Sequence, residues 1–559
     1  MDRIRFALWF GLLASIWISY STWVADRPAE PVAAANAAGA PATAGDETPP
    51  VLDNDAGAVP VVVNTDSSAV GAAPADESAP PPARLVNVRT DVLDVQINLD
   101  GGDIVRVDLP MYPVHKDRPD EPVRLLDYTD SRRWVYQTGI ASTPGTPAPT
   151  HDQAFSAAAS SYALADGADT LEVRLGWQGP NGVSAEKIYT FHRGGYAIDL
   201  AIVARNQGAV PWTAGAYAWM TRLHNPLKRS YLSVDSYSFT GPVIYNGDSY
   251  KKIKVDELVA SPEQISVANG WLASIQHHFL AAIVPPAMEI DDLSVEAIGQ
   301  SYRLKAHSPA SQVAPGAELR YPVTLFVGPK LQDQLAAAAP DRDLRLTVDY
   351  GAILTPIAQP LFWVLSFIHD WVKNWGLSIV ITTLLIKLVF YKLTATSGRS
   401  MAKMRKLAPR MKALQEKHKD DRQALSTAML DLYKKEKVNP AAGCLPILIQ
   451  MPFFFAFYWV LVESVEMRQA PFMLWINDLS VRDPFFILPL LMGAAMLFQM
   501  RLNPAPPDPV QARIMQIMPI VFTAMFAFFP AGLVLYWLTN TVASIAQQWR
   551  INTLVARES

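Results

Sequence analysis

The apolar residues of this chain follow three different rhythms, and each predicts a different kind of element. At the start, MDRIRFALWFGLLASIWISYSTWV sets Arg3 and Arg5 before about 19 apolar or weakly polar residues, enough at about 1.5 Å per residue to cross a hydrocarbon core of roughly 30 Å. The run is longer than the core of a cleaved secretory signal and ends in bulky Trp23-Val24 without a clear small-x-small site. Residues 1–24 are therefore expected to be an uncleaved transmembrane anchor. Residues 25–84 are Ala, Pro, Gly and Asp with almost no aromatics, too little apolar surface to offset the entropy of ordering, which predicts a disordered tether.

A period of two begins at Leu85. In Val92-Leu93-Asp94-Val95-Gln96-Ile97-Asn98-Leu99 apolar and polar residues alternate up to Asp100-Gly101-Gly102, and Ile104-Val105-Arg106-Val107 resumes the alternation, the signature of a hairpin. Similar runs recur at Leu171 to Leu175, Tyr196 to Ala204 and Arg320 to Val327 between Pro, Gly and Asn turns, with no long helical period before about Leu331. Residues 85–345 are expected to form one large all-β domain, a sandwich. Residues 346–375 are strongly apolar but broken by Pro356, Pro360, His369, Asp370 and Lys373, which predicts an interfacial amphipathic helix with Trp363, Trp371 and Trp375 at headgroup level.

Continuous apolar runs then predict spans at Gly376 to Tyr391, Leu445 to Val462, Pro484 to Met500, Ile514 to Phe529 and Leu533 to Trp549, with Pro530-Ala531-Gly532 turning between the last two. With the anchor this makes six. The expected fold class is thus an α + β multidomain membrane protein: a polytopic α-helical bundle of six spans, five of them at 376–549, plus a large all-β sandwich domain, a helical hairpin at 395–440 and a short tail at 550–559.

Charge orients the spans. Lys392 to Lys437 holds 13 Lys/Arg against 5 Asp/Glu, a local +8 that leaves −12 elsewhere for the total of −4. Placing that loop and Arg501 to Arg513 inside, and the Glu463 to Asp483 loop with two basic and four acidic residues outside, puts both termini in the cytoplasm and the β domain outside. A mean hydropathy of +0.11 agrees with a chain only partly embedded. The single cysteine, Cys444, excludes an intrachain disulfide and paired CxxC chemistry. There is no GxxxxGK[ST], HExxH or GxSxG motif, so no enzyme, cofactor or small-molecule substrate is expected. His277-His278 stand beside Phe279-Leu280, where neighbours on a strand point to opposite faces, which predicts structural histidines and no shared metal.

Candidate chemistry lies in the polar interruptions of the spans. Lys387 is flanked by Ile386 and Leu388, and a cation at mid-bilayer costs about 2.5 to 3.5 kcal/mol. Two readings stand side by side. Lys387 faces a wet cavity, or, five residues before Lys392, it snorkels to the cytoplasmic interface. Thr382 and Thr383 one turn earlier, Gln450 in the third span and Thr539-Asn540-Thr541 in the last are singly the kind of groups that merely hold helices together. Jointly, with no Asp or Glu in the last five spans, they suggest a hydrated, positively charged pocket. In the 395–440 hairpin Met401, Met404, Ala408, Met411 and Leu414, then Leu425, Met429, Leu432 and Tyr433, fall at helical spacing. Either the hairpin is solvated, touching anionic lipid, or its methionines capture varied apolar segments beside a basic surface that can dock a ribosome.

Segments such as NWGLSIVITTLLIKLVFYKLT, SMAKMRKLAPRMKAL, LYKKEKVNPAAGCLPILIQMPFF, SVEMRQAPFMLWINDLSVRDPFFILPLLMG and FPAGLVLYW, about 200 residues in all, resemble the YidC membrane protein insertases of Gram-negative bacteria. The resemblance implies a bacterial inner-membrane chaperone and insertase with a periplasmic β domain and a five-helix core enclosing a hydrophilic groove open to the cytoplasm. Its clients would be nascent inner-membrane proteins, taken alone or beside the Sec translocon. The groove cation falls on Lys387, where many relatives carry arginine. The groove threonine falls on Thr383, the glutamine on Gln450, and the aromatic pair on Tyr536 and Trp537, often two tyrosines elsewhere. Lys392 stands where proline is common, which predicts a straighter end to that span. Two rival classes remain. Six spans with a buried lysine also suit a transporter or channel for a small anion, although no internal repeat is visible. A sandwich on an anchor also suits a carbohydrate-acting enzyme, although no convergent carboxylate pair is visible.

Overall fold

The computed structural model describes residues 84–559 apart from 144, 226–237, 288, 341, 352, 419–420, 437–444, 503–508 and 558–559. The expected anchor and all but the last residue of the tether lie outside the described residues. The described residues form two compact units, one of 84–392 with 449–550 and the other of 393–448 with 551–557.

Alternating sequence becomes alternating burial in the β domain. The strand Leu85–Arg89 buries Val86 and Val88 and leaves Asn87 and Arg89 exposed, and Thr170–Gln178 repeats the pattern with Val173 and Leu175 inside. Among the described residues twenty strands lie in three sheets of five, nine and six, the sixth strand of the last being Trp134–Ser142, which branches off along Trp212–Leu223. The nine-stranded sheet carries the centre of the core, with Glu318–Pro329 between Ala197–Asn206 and Phe279–Val284. Phe279–Val284 is buried at every residue, so it reads as a plain apolar run and not as an alternation.

The expected hairpin pairs Asp94–Asn98 with Asp103–His115. Its turn needs glycine. Gly101 and Gly102 have φ of 103° and 67°, and a Cβ on Gly101 would collide with the His151 carbonyl. Lys187 is wholly buried behind this turn, its Nζ donating to the carbonyls of Gly101 (2.5 Å) and Thr138 (2.7 Å) and to Asp103 Oδ1 (3.0 Å). Burial pushes the Asp103 carboxyl up to about 6 against the opposing pull of Lys187, and burial lowers the lysine.

The helical part begins with α1 (Thr355–Val372), α2 (Trp375–Val389), α3 (Tyr391–Lys417) and α4 (Arg422–Lys435), and continues with α5 (Leu445–Glu463), α6 (Ile487–Leu502), α7 (Pro509–Phe526) and α8 (Ala531–Arg557). Among the described residues no single helix is both long and apolar enough to cross a membrane; Trp375–Val389 and Tyr391–Met404 pass that test only together. On α1, Trp363, Phe367 and Trp371 form an exposed aromatic stripe one turn apart, with Trp363–Phe367 stacked at 5.8 Å. Asn374 caps α2, its Oδ1 accepting from the Leu377 N–H.

Two expectations from sequence are corrected here. The end of the span at Lys392 is not straighter for want of a proline: Phe390 leaves helical geometry (ψ 8°), closes α2 through its N–H to the Ile386 carbonyl, and packs its ring on Phe453. His277 and His278 do not point to opposite faces. They occupy the turn before Phe279–Val284, where strand alternation does not apply; their rings stack at 3.8 Å and both Nε2 atoms lie against the Val462 carbonyl, at 2.8 and 3.1 Å.

That carbonyl belongs to the last turn of α5, so the histidines are part of a junction between the β domain and the helices. Next to them Lys330 and Glu463, both almost fully buried, face each other at 3.9 Å, and the Ser238 hydroxyl donates to Glu463 at 2.6 Å. Tyr350 OH receives from Gln332 (2.7 Å) and lies 3.4 Å from the Ser464 hydroxyl. On another side Lys116 donates to the carbonyls of Gln469 and Asn477, and Arg468 to those of Pro113 and Val114.

Candidate functional site

The last turn of α2 places Lys387 inward: the side chain is 9% exposed, whereas Leu388 and Val389 beside it are 70% and 78% exposed. Its Nζ donates to Ser544 Oγ of α8 at 2.8 Å, and that hydroxyl donates onward to the Asn540 carbonyl at 2.7 Å. Among the described residues Ser544 is the only hydrogen-bond partner of Lys387 and no carboxylate faces it. Among the described residues the cation is held by one hydroxyl dipole and has no opposite charge beside it.

Thr383 sits one turn away on the same helix, buried, its Oγ1 donating to the Ile379 carbonyl at 2.6 Å. Thr539 does the same to Leu535 at 2.8 Å. These hydroxyls are spent on their own helices. Thr382 differs, since its Oγ1 is buried without a partner among the described residues, which leaves an unsatisfied polar group five residues before the lysine. Ser544 lies outside the polar run Thr539-Asn540-Thr541 that the pattern marks. Its spacing of four from Asn540 and eight from Tyr536 was the available signal, placing all three on one face of α8.

Tyr536 and Trp537 are not joined to Lys387. Tyr536 stacks on Phe457 (4.6 Å), while Trp537 meets Phe454 edge-on (4.8 Å) and Phe526 at 5.3 Å, so the pair ties α8 to α5 and α7. The eight residues from Tyr536 to Ser544 separate it from the lysine's partner by about 12 Å along the helix. Gln450 is half-buried on α5 and makes no hydrogen bond among the described residues.

In the hairpin of α3 and α4, Met411 and Met429 are buried together with Leu407, and Met404, Leu414, Leu425, Leu432 and Tyr433 pack around them. The stripe forms the seam between the two helices, because an apolar stripe on each of two short helices is removed from water by packing against its neighbour. Met401 lies on α3 with its side chain outside those described. Asp421 caps α4 by accepting from the N–H groups of Gln423 and Ala424, and Arg410 pairs with Glu436 at 2.6 Å.

A large β sandwich is joined to a set of apolar helices with a lysine buried among them. Comparison with known proteins makes this specific. A family model described as "60Kd inner membrane protein" matches residues 367–558, and one described as "YidC periplasmic domain" matches residues 85–364. A membrane protein insertase YidC of Thioalkalivibrio sulfidiphilus (strain HL-EbGR7) is 45% identical over 99% of this chain and 98% of its own. Its counterpart in Pseudomonas syringae pv. tomato (strain ATCC BAA-871 / DC3000) is 43% identical over 98% and 97%. A crystal structure of an active YidC insertase with its first transmembrane domain resolved has a TM-score of 0.37 at 20% identity, covering 83% of this chain and 93% of that one. The chain belongs to the YidC family of membrane protein insertases, proteins of the inner membrane that carry a periplasmic domain.

Proposed function

We propose that this protein inserts the hydrophobic segments of nascent inner-membrane proteins through a hydrated groove whose charge is Lys387. The observation that supports the reading most directly is a buried ammonium held by the Ser544 hydroxyl, with the Thr382 hydroxyl, unsatisfied among the described residues, five residues earlier on the same helix. A short polar flank of a client entering beside Lys387 would trade water for this site and avoid bare hydrocarbon, which removes part of the cost of translocation. The segment then leaves past the aromatic wall of Phe454, Phe522, Phe526 and Trp537, and its burial in lipid supplies most of the free energy at about 25 cal/mol per Å². Five spans from 376 to 549 make the core in this scheme, with an N-terminal anchor as a sixth, both termini in the cytoplasm and the 85–345 domain in the periplasm. Thr383 and Gln450 would line the groove, and Tyr536 and Trp537 would set its wall and not its floor.

The hairpin receives clients in this scheme by opening. Closed, its methionines satisfy one another; open, Met404, Met411 and Met429 offer a soft apolar surface flanked by the +8 loop, which attracts anionic lipid and ribosomal RNA. In this scheme the protein works alone or beside the Sec translocon.

The test is complementation of a strain depleted of its own insertase, following a small single- or double-spanning client. Lys387→Arg is expected to insert it, while normally expressed Lys387→Ala loses insertion by about seventyfold or more, the equivalent of the roughly 2.5 to 3.5 kcal/mol that a charged residue costs at mid-bilayer. Equal insertion by Lys387→Ala removes the lysine from the mechanism. Failure of the unaltered, folded chain on every client moves the anion-transporter reading to first place.

A further inference from the structure

Where the β domain meets the helix ends, a cavity of about 490 Å³ opens that no step of insertion uses. Three strong cations reach it: Lys116 from the first long hairpin, and Arg468 and Arg482 from the loop between α5 and α6. His277 and His278 form part of another wall. The single carboxylate there, Asp478, is engaged as a turn cap, its Oδ1 accepting from the Gln469 N–H (3.0 Å) and from the Ser480 N–H (2.8 Å) and hydroxyl (2.7 Å). Lys116 donates only to carbonyls, and the exposed Arg482 guanidinium has no partner among the described residues. Carbonyl dipoles position Lys116 without cancelling its charge, and with three strong cations against one carboxylate the lining of the cavity is net positive.

The rim is of the opposite character. Val114, Val481 and Phe528 line the same cavity and are each about half exposed. Val481 is fastened to the turn between α7 and α8, its carbonyl accepting from the Ala531 N–H at 2.7 Å, which places the rim at the ends of apolar helices. A cationic pocket opening onto exposed apolar side chains at a helix end is complementary to an amphiphile with a negative head. A free phosphate would use the pocket and leave the rim in water.

We propose that this cavity seats the phosphate of a net-anionic phospholipid of the periplasmic leaflet, between Lys116, Arg468 and Arg482, with its acyl chains leaving over Val114, Val481 and Phe528. The site is distinct from the basic cytoplasmic hairpin and rests on the orientation given above, but its test does not depend on insertion. A lipid bound here would bridge the β domain and the helix ends.

The experiment uses the full chain in bilayer nanodiscs doped with phosphatidylglycerol carrying a photoactivatable headgroup, with labelled peptides mapped by mass spectrometry. Labelling is expected in the loop that contains Val481. It should fall about thirtyfold in the double variant Lys116→Gln/Arg482→Gln, the size expected for two charges near a lipid surface. It should be retained in Lys116→Arg/Arg482→Lys, which separates loss of charge from loss of fold. Labelling of the 395–440 hairpin in the same sample is the internal control and should not change. The proposal is overturned if the Gln variant labels as the parent does, if an equivalent phosphatidylcholine probe labels the loop equally, or if inorganic phosphate competes at the concentration of the lipid probe.

Discussion

Glu466, in the loop after α5, has its Oε2 buried without a hydrogen-bond partner among the described residues, and burial pushes its carboxyl up from 4.5 to about 7. Between those values the folded chain holds a proton that the unfolded chain has released. The group therefore favours folding fully below pH 4.5 and loses that contribution as the pH rises through 7. Glu466→Gln should melt with the parent near pH 4.5 and several degrees above it at pH 8; superimposable melting curves at both pH values would show that this carboxyl is solvated after all. The Lys187–Asp103 pair behaves differently, since both charges are inside. Lys187→Met leaves the carboxylate buried among groups arranged for an ammonium, so the unfolding midpoint of the β domain in urea should fall by an amount worth about 3–5 kcal/mol. Lys387 and Thr383 were legible in the sequence because a polar residue in an apolar run is conspicuous. Ser544 was not, because a serine is weakly polar and its role comes from the approach of α8 to α2. Ser544→Ala should weaken insertion only two- to threefold in the client assay, as befits one hydrogen bond of about 0.6 kcal/mol.

At the scale of elements, legibility depended on whether one face or two faces of a segment are buried. Strands with one wet face, such as Leu85–Arg89, announce themselves by alternation, whereas Phe279–Val284, buried throughout, does not. The histidine pair was misread for a related reason: the two residues before that strand belong to a turn. Helix positions were visible from apolar runs, but not their contacts. Gly493 of α6 is an example, because a Cβ there would collide with the Thr523 hydroxyl of α7, so the two helices meet over a missing side chain. Gly493→Leu should lower the thermal midpoint of the purified chain and reduce insertion. Adding Thr523→Ala should recover part of both, and no recovery would place the damage elsewhere.

For the molecule as a whole, the junction is the least expected feature, because nothing in a linear pattern links residue 330 to residue 463. Burial lowers Lys330 to about 8, and only Glu463 opposes that effect. Removing one partner strands the other, so Glu463→Gln should loosen the β domain from the end of α5, exposing the 340–354 segment to limited proteolysis. Lys330→Met combined with Glu463→Gln should be protected better than either single variant. Equal protection in all three would mean that the histidines and the Lys116 and Arg468 contacts hold the junction unaided.

A seam built from thioethers is also a clock. Oxidants convert methionine to a polar sulfoxide, but Met411 and Met429 are almost wholly covered while the hairpin is closed and can react only in the intervals when it parts. The rate at which mild peroxide modifies these two sulfurs, measured against an exposed methionine such as Met111, therefore counts how often the cytoplasmic hairpin stands open, with no client present.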